Sequence, residues 1–228
     1  MSKPSSRRLV ITGLFVALLG LVLSGVLLVE ARSSGAGDFG PAPGGGTSAD
    51  ARTQGTTPPA GRPAGEPAGG TVAPVPAKVP EPSSLSLPRL DVRAAVEQVG
   101  VDRDGQVEVP EDPKQVGWYR FSPAPGSGAG SAVVVGHVDS DGRGLGVLVA
   151  LNDVRQGDRV LVERKDGSEV AYRVTSRRTV GKRDLAASGV FRREGPAVLT
   201  LITCAGPYLP EDGGYQNNLV VTAVEAPT

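Results

Sequence analysis

From residue 85 to residue 224 the apolar residues fall in short, β-branched runs separated by glycine, proline and aspartate, and that rhythm leaves few folds open. The clearest run is AVLTLITC at 197–204, which is unbroken and ends on the only cysteine of the chain, Cys204. A run of this kind fits a strand buried on both faces. A second, AVVVGHV at 132–138, carries the only histidine, His137, near its end. The spacing predicts a turn straight after Cys204, where Ala205, Gly206 and Pro207 follow, so both residues are expected at strand ends. DRVLVERK sets Val160 and Val162 against Arg159, Leu161 and Glu163, and Asp166-Gly167 turns it into EVAYRVTSRRTV. That is the strongest short-range signal for a β-hairpin. SLSLPRLDV reads as one strand, QVEVP as a short one, and VGWYR and NLVVTAVE as two more. PAPGSGAG at 123–130 reads as a mobile loop, 145–151 as a short helix and KRDLAAS as a single helical turn. Seven or eight short strands in about 145 residues predict an all-β closed barrel or sandwich. The length suffices for one sizeable core.

The first third of the chain is made differently. Residues 1–8 carry Lys3, Arg7 and Arg8 and no acid, and residues 9–29 carry no charge at all. A helix of that length spans roughly 30 Å of hydrocarbon. The basic flank belongs on the cytoplasmic side, which puts the rest of the chain outside. A cleaved signal peptide is the rival reading, with Ala31, Ser33 and Ser34 as small residues for cleavage, but its apolar region usually runs only about 7–15 residues. From about 33 to 84 the chain is Gly, Pro, Ala, Ser and Thr with almost no large apolar residue, which cannot offset chain entropy by burial. The expected organisation is a cytoplasmic tip at 1–8, a transmembrane signal anchor at 9–29, a disordered linker at 30–84 and a folded domain at 85–228. A coil of about 50 residues reaches roughly 40 Å.

With 24 basic and 24 acidic residues the formal net charge is zero, which gives no push toward nucleic acid. One cysteine excludes an intrachain disulfide, and one His with one Cys argues against an all-protein zinc site, so no metal or cofactor is expected. Free cysteines mostly act as small buried hydrophobes. If the chain is a Cys/His enzyme, however, His137 and Cys204 are the only residues able to fill those roles. A reactive thiol needs a neighbouring base or cation, and acyl transfer needs a donor for the oxyanion. The residues alone leave two readings open. One is a cysteine acyl-transfer enzyme, and the other is a non-catalytic barrel module on a tether with Cys204 buried and inert.

The phrases VGWYRFSPAPGSGAGSAVVVGHVD, LNDVRQGDRVLVERKDG, LTLITCAGPY and YQNNLVVTAV together resemble the sortase transpeptidases, in particular the class F sortases of high-GC Gram-positive bacteria. The likeness covers 85–224. It implies an eight-stranded β-barrel in which the strands carrying His137 and Cys204 lie side by side. By the resemblance Cys204 attacks the threonine carbonyl of an LPxTG-type sorting signal and forms a thioacyl enzyme, while His137 protonates the leaving amine. The implied acceptor is an amine of a peptidoglycan precursor, or water, and the implied location is the outer face of a cell membrane, held by a single span. L,D-transpeptidases share the Cys/His chemistry, but LITCAGPY lacks the arginine of their cysteine motif. Sortases generally use an arginine on the last strand to hold the substrate and oxyanion, and this chain has none after Arg193. Gln216, Asn217 and Asn218 stand there, with Asn218 the best positional match. An arginine from elsewhere, Arg120 or Arg143, is the other expectation. The remaining expectations are bland: Trp118 and Tyr119 in the core, Arg177-Arg178 and Arg192-Arg193 as solvated charge, Asp139 and Asp141 in a polar turn, and 211–215 as a glycine turn facing substrate.

Overall fold

Strand pairing in the computed structural model, described over residues 37–42, 78–140 and 142–227, closes into a barrel. Ten strands follow one another: β1 Pro82–Leu87, β2 Val92–Val99, β3 Val116–Tyr119, β4 Ser131–Val135, β5 Asp139–Ser140, β6 Gly144–Leu145, β7 Arg159–Arg164, β8 Glu169–Gly181, β9 Val198–Leu209 and β10 Gly214–Glu225. Eight of them form the barrel in the order β1-β2-β3-β4-β9-β10-β8-β7, and β5 and β6 make a separate two-stranded ribbon. The helical segments are short 3₁₀ turns at Pro88–Leu90, Val147–Asp153, Ala186–Ser188 and Pro210–Asp212. The anchor read at 9–29 and most of the linker lie outside the described residues. No helix among the described residues is long and apolar enough to cross a membrane.

The two apolar runs become β4 and β9, which pair in parallel from Ser131↔Val198 to Val135↔Ile202. Alternation along them feeds two cores. Ala132, Val134, Leu199 and Leu201 point into the barrel and join its main cluster. Val133, Val135 and Ile202 point outward and join a second cluster with Val190 and Val220. Leu185 and Phe191, from the β8–β9 connection, cover it. This second layer is why neither run shows a polar face in the sequence.

Several expectations change. SLSLPRLDV is two strands, because Pro88 cannot donate to a ladder and opens a 3₁₀ turn that Asp91 closes in a left-handed conformation, φ 52°. QVEVP forms no strand. Its Val107 makes one bridge to Val101, and Val101 and Val109 stay exposed with no sheet face to cover them. The strand bearing Cys204 does not stop there. β9 continues to Leu209, absorbing Gly206 and Pro207 in a register shift opposite β10. The 123–130 loop is pinned, since Gly126 donates its N–H to the Tyr172 hydroxyl at 2.7 Å and Trp118 Nε1 donates to the Pro123 carbonyl. Burial pushes Tyr172 up to about 12, so its phenol stays neutral for that role.

Arg177 was expected to be solvated and is buried. β8 pairs with β10 over 172–181 but with β7 only over 169–173, which leaves one edge of its second half open. Residues 38–40, within the stretch read as linker, occupy that edge. Phe39 and Arg177 exchange both backbone hydrogen bonds at 2.9 Å. Asp38 accepts from the Thr179 N–H and hydroxyl, and the Gly40 carbonyl accepts from Arg178. The Arg177 guanidinium donates to the carbonyls of Asn152 and Val154 and lies 5.4 Å from the Phe39 ring centroid. Gly40, at φ 75°, is required there, because a Cβ would stand 2.2 Å from the Thr175 carbonyl oxygen.

Candidate active site

The outward face of β9, β10 and β8 carries the candidate chemistry. Across β10, Asn218 pairs with Cys204 of β9 on one side and with Val180 of β8 on the other. Directly opposed residues present side chains on one face, so Cys204, Asn218 and Val180 form a row continuing the second cluster. On the other side of β9, extending the β4 register two residues beyond Val135↔Ile202 sets His137 level with Cys204. Gly136 N–H donates to the Ile202 carbonyl at 3.1 Å, and Thr203 Oγ1 donates to the Gly136 carbonyl at 2.8 Å, which hold that register past the end of β4.

His137 is fixed by its surroundings. Its Nε2 lies 2.9 Å from the Pro110 carbonyl oxygen. A carbonyl only accepts, so Nε2 carries a proton and Nδ1 is the ring nitrogen left to exchange one. The backbone on either side is tied to the segment after β6: Gly146 N–H donates to the Val138 carbonyl and Leu148 N–H to the His137 carbonyl.

A cleft of about 540 Å³ opens over this face, within the usual size of a ligand site. Val135, Ile202, Tyr119, Leu185 and Phe191 give it apolar walls, and Cys204, Thr203 and Asn218 are among its polar residues. Trp118 is in the main core as expected, whereas Tyr119 faces the cleft. Burial pushes the half-buried Cys204 thiol up; the Lys182 cation pulls it down and the Asp139 carboxylate pushes it up. The resting thiol is therefore protonated at neutral pH. Asp139 also accepts a hydrogen bond from the Tyr215 hydroxyl, which with burial holds that phenol at about 12. Asp141 lies outside the described residues. Among the described residues no group of three or more His, Cys, Asp or Glu side chains is placed to hold a metal ion.

The structure sets Asn218 beside Cys204 and leaves the neighbouring amides elsewhere. Gln216 donates to the carbonyls of Asp212 and Gly214, and Asn217 to that of Gly206, so these two hold the β9–β10 turn. Neither arginine proposed as a stand-in lines the cleft. Arg143 Nη1 donates to the Glu111 carbonyl, and the Arg120 guanidinium lies 4.9 Å from the Phe121 ring centroid. The charged side chains that do line it are Lys182 and Arg183, just beyond β8. Sequence reasoning missed both, reading KRDLAAS as a helical turn. Only the β8–β10 register could have pointed to them.

A sortase domain model matches residues 85–226. No curated protein matches the chain. Among solved structures, a lid mutant of sortase A from Corynebacterium diphtheriae is similar at 23% identity and a TM-score of 0.50, covering 68% of this chain and 75% of that one. Sortase C-1 from Actinomyces oris is similar at 22% identity, TM-score 0.49, covering 64% and 73%. Sortase C from Clostridium perfringens SM101 stands at 17%, TM-score 0.48, covering 64% and 70%. Identities this low speak to fold alone. The domain match runs from within β1 past the end of β10 and takes in the Cys204 cleft, and on it the chain belongs to the sortase family, whose members are cysteine transpeptidases acting on sorting signals.

Proposed function

We propose that this chain is a class F-type sortase that cleaves LPxTG-type sorting signals through a thioacyl intermediate on Cys204 and passes the acyl group to a cell-wall amine. The observation that supports the reading is the register, which, extended past the end of β4, brings the only histidine level with the only cysteine, the latter in the cleft. The Cys204 thiol gives its proton to His137 Nδ1 as Sγ attacks the threonine carbonyl carbon. Collapse of the tetrahedral intermediate breaks the C–N bond, and the proton on His137 goes to the departing glycine amine. An amine of a peptidoglycan precursor then attacks the thioester, loses a proton to His137, and restores the thiol as the new amide forms. Water in its place gives hydrolysis. Asn218 donates its amide N–H toward the oxyanion from the adjoining strand. Residues 9–29 would hold the enzyme in the membrane with the barrel outside.

The test is mass spectrometry of the chain incubated with an LPxTG-type peptide. An adduct on the wild type, absent from Cys204→Ala, together with release of the glycine-led fragment, supports the reading. Absence of any adduct across a panel of sorting-signal peptides overturns it.

A further inference from the structure

An oxyanion formed at Cys204 is stabilised by hydrogen-bond donors, and the last strand offers the neutral amide of Asn218 beside it and no cation. Charge-assisted hydrogen bonds are roughly twice as strong as neutral ones, so Asn218 alone replaces an arginine poorly. The cation comes from β8. Asn217 pairs with Gly181, and the Lys182 N–H donates to the Gln216 carbonyl at 3.1 Å, which extends the ladder by one residue. Lys182 is two residues beyond Val180, so alternation returns its side chain to the face shared by Val180, Asn218 and Cys204. Two strand spacings across and two residues along put its Cα about 12 Å from that of Cys204. The flexible four-carbon stem of a lysine bridges part of that distance and leaves room between the two for one substrate carbonyl. Lys182 lines the same cleft as Cys204 and Asn218, and among the described residues no carboxylate lines it with them.

We propose, on the transpeptidase reading above, that Lys182 supplies the positive charge that holds the substrate carbonyl and its oxyanion, in the role an arginine of the last strand has in other sortases. The electrostatics agree, because Lys182 is the cation that acts on the Cys204 thiol. Asn218 then stands between cation and nucleophile, donating from the middle of the row. The function of an arginine has moved one strand over, onto a lysine at the end of β8.

The experiment has two arms, each run on wild type, Lys182→Gln, Lys182→Arg, Arg183→Gln and Arg159→Gln. Arg159→Gln is a control for loss of one exposed charge on β7, away from the cleft. The first arm follows thioacyl formation. Lys182→Gln is expected to lose on the order of 10²-fold in kcat/KM, as removal of one oxyanion donor does, with Lys182→Arg restoring most of it. The second arm needs no substrate and follows alkylation of Cys204, the only thiol, against pH. Cys204 is faced by Lys182 from the end of β8, Asp139 from β5 and Tyr215 from β10, and His137 stands level with it in the register extended past β4. Loss of the Lys182 cation should move the alkylation profile to higher pH, and Arg159→Gln should leave it in place. Wild-type rates for Lys182→Gln in both arms overturn the proposal, as does a large loss confined to Arg183→Gln. A wild type that forms no adduct with any peptide removes the transpeptidase reading itself, a result seen without any Lys182 variant.

Discussion

Replacing Gly146 by alanine should damage catalysis far more than stability, and the structure supplies the reason. Gly146 has φ −76° and ψ 155°, a conformation alanine adopts freely, so no backbone strain follows from the change. The cost is a collision. A Cβ at this position would lie 2.1 Å from the His137 carbonyl oxygen, 2.4 Å from its carbonyl carbon and 2.6 Å from its Cβ. Relieving the worst contact needs a shift of about 1 Å or more, given that non-bonded heavy atoms sit about 3.5–4.0 Å apart. The Gly146–Val138 and Leu148–His137 hydrogen bonds couple the two segments, so the shift falls on His137. Overpacking of this kind costs about 1–3 kcal/mol, offset by about 0.4–1 kcal/mol from restricting the unfolded chain. The net loss, up to about 2.6 kcal/mol, lowers the melting temperature by up to roughly 10 °C, at about 2–4 °C per kcal/mol for a chain of this size. A misplacement of about 1 Å costs on the order of 10²-fold in rate. The assay pairs thermal melting with thioacyl formation, and alkylation of Cys204 serves as a check that the thiol remains accessible. Wild-type melting together with a wild-type rate of thioacyl formation would refute the reasoning.

Two further outcomes follow from contacts away from that glycine. Asp139→Asn removes a negative charge that pushes the Cys204 thiol up, so the folded thiol should ionise at lower pH and alkylate faster at neutral pH, the opposite of Lys182→Gln. A pH profile that does not move, or moves to higher pH, contradicts this. Phe39→Ala removes a half-buried ring from the Arg177 guanidinium and the open edge of β8, at a cost of about 2 kcal/mol, below the fully buried case. The melting temperature should fall by roughly 4–8 °C. A chain beginning at residue 78 should show the same loss, and unchanged melting of both would show that the 38–40 contact contributes nothing to stability.

The barrel was largely legible in the amino-acid sequence, because strands and turns are encoded locally. Alternation in DRVLVERK and the Asp166-Gly167 turn specify β7 and β8, and the pairing Val160↔Tyr172 and Val162↔Val170 follows from them. The continuous β-branched runs at 132–138 and 197–204 specify strands covered on both faces, and the lone His137 and Cys204 mark where chemistry is possible. Closure and register were decided only in three dimensions. They continue β9 past Cys204, set Asn218 between Cys204 and Val180, and carry Lys182 onto that same face from a segment that reads as an ordinary turn. They also bury Arg177, whose neighbours in sequence look solvated, beneath a phenylalanine 138 residues earlier in the chain. Periodicity records which face a side chain takes on its own strand. Which strand lies next to it depends on pairings between distant segments, and no local pattern of residues records those.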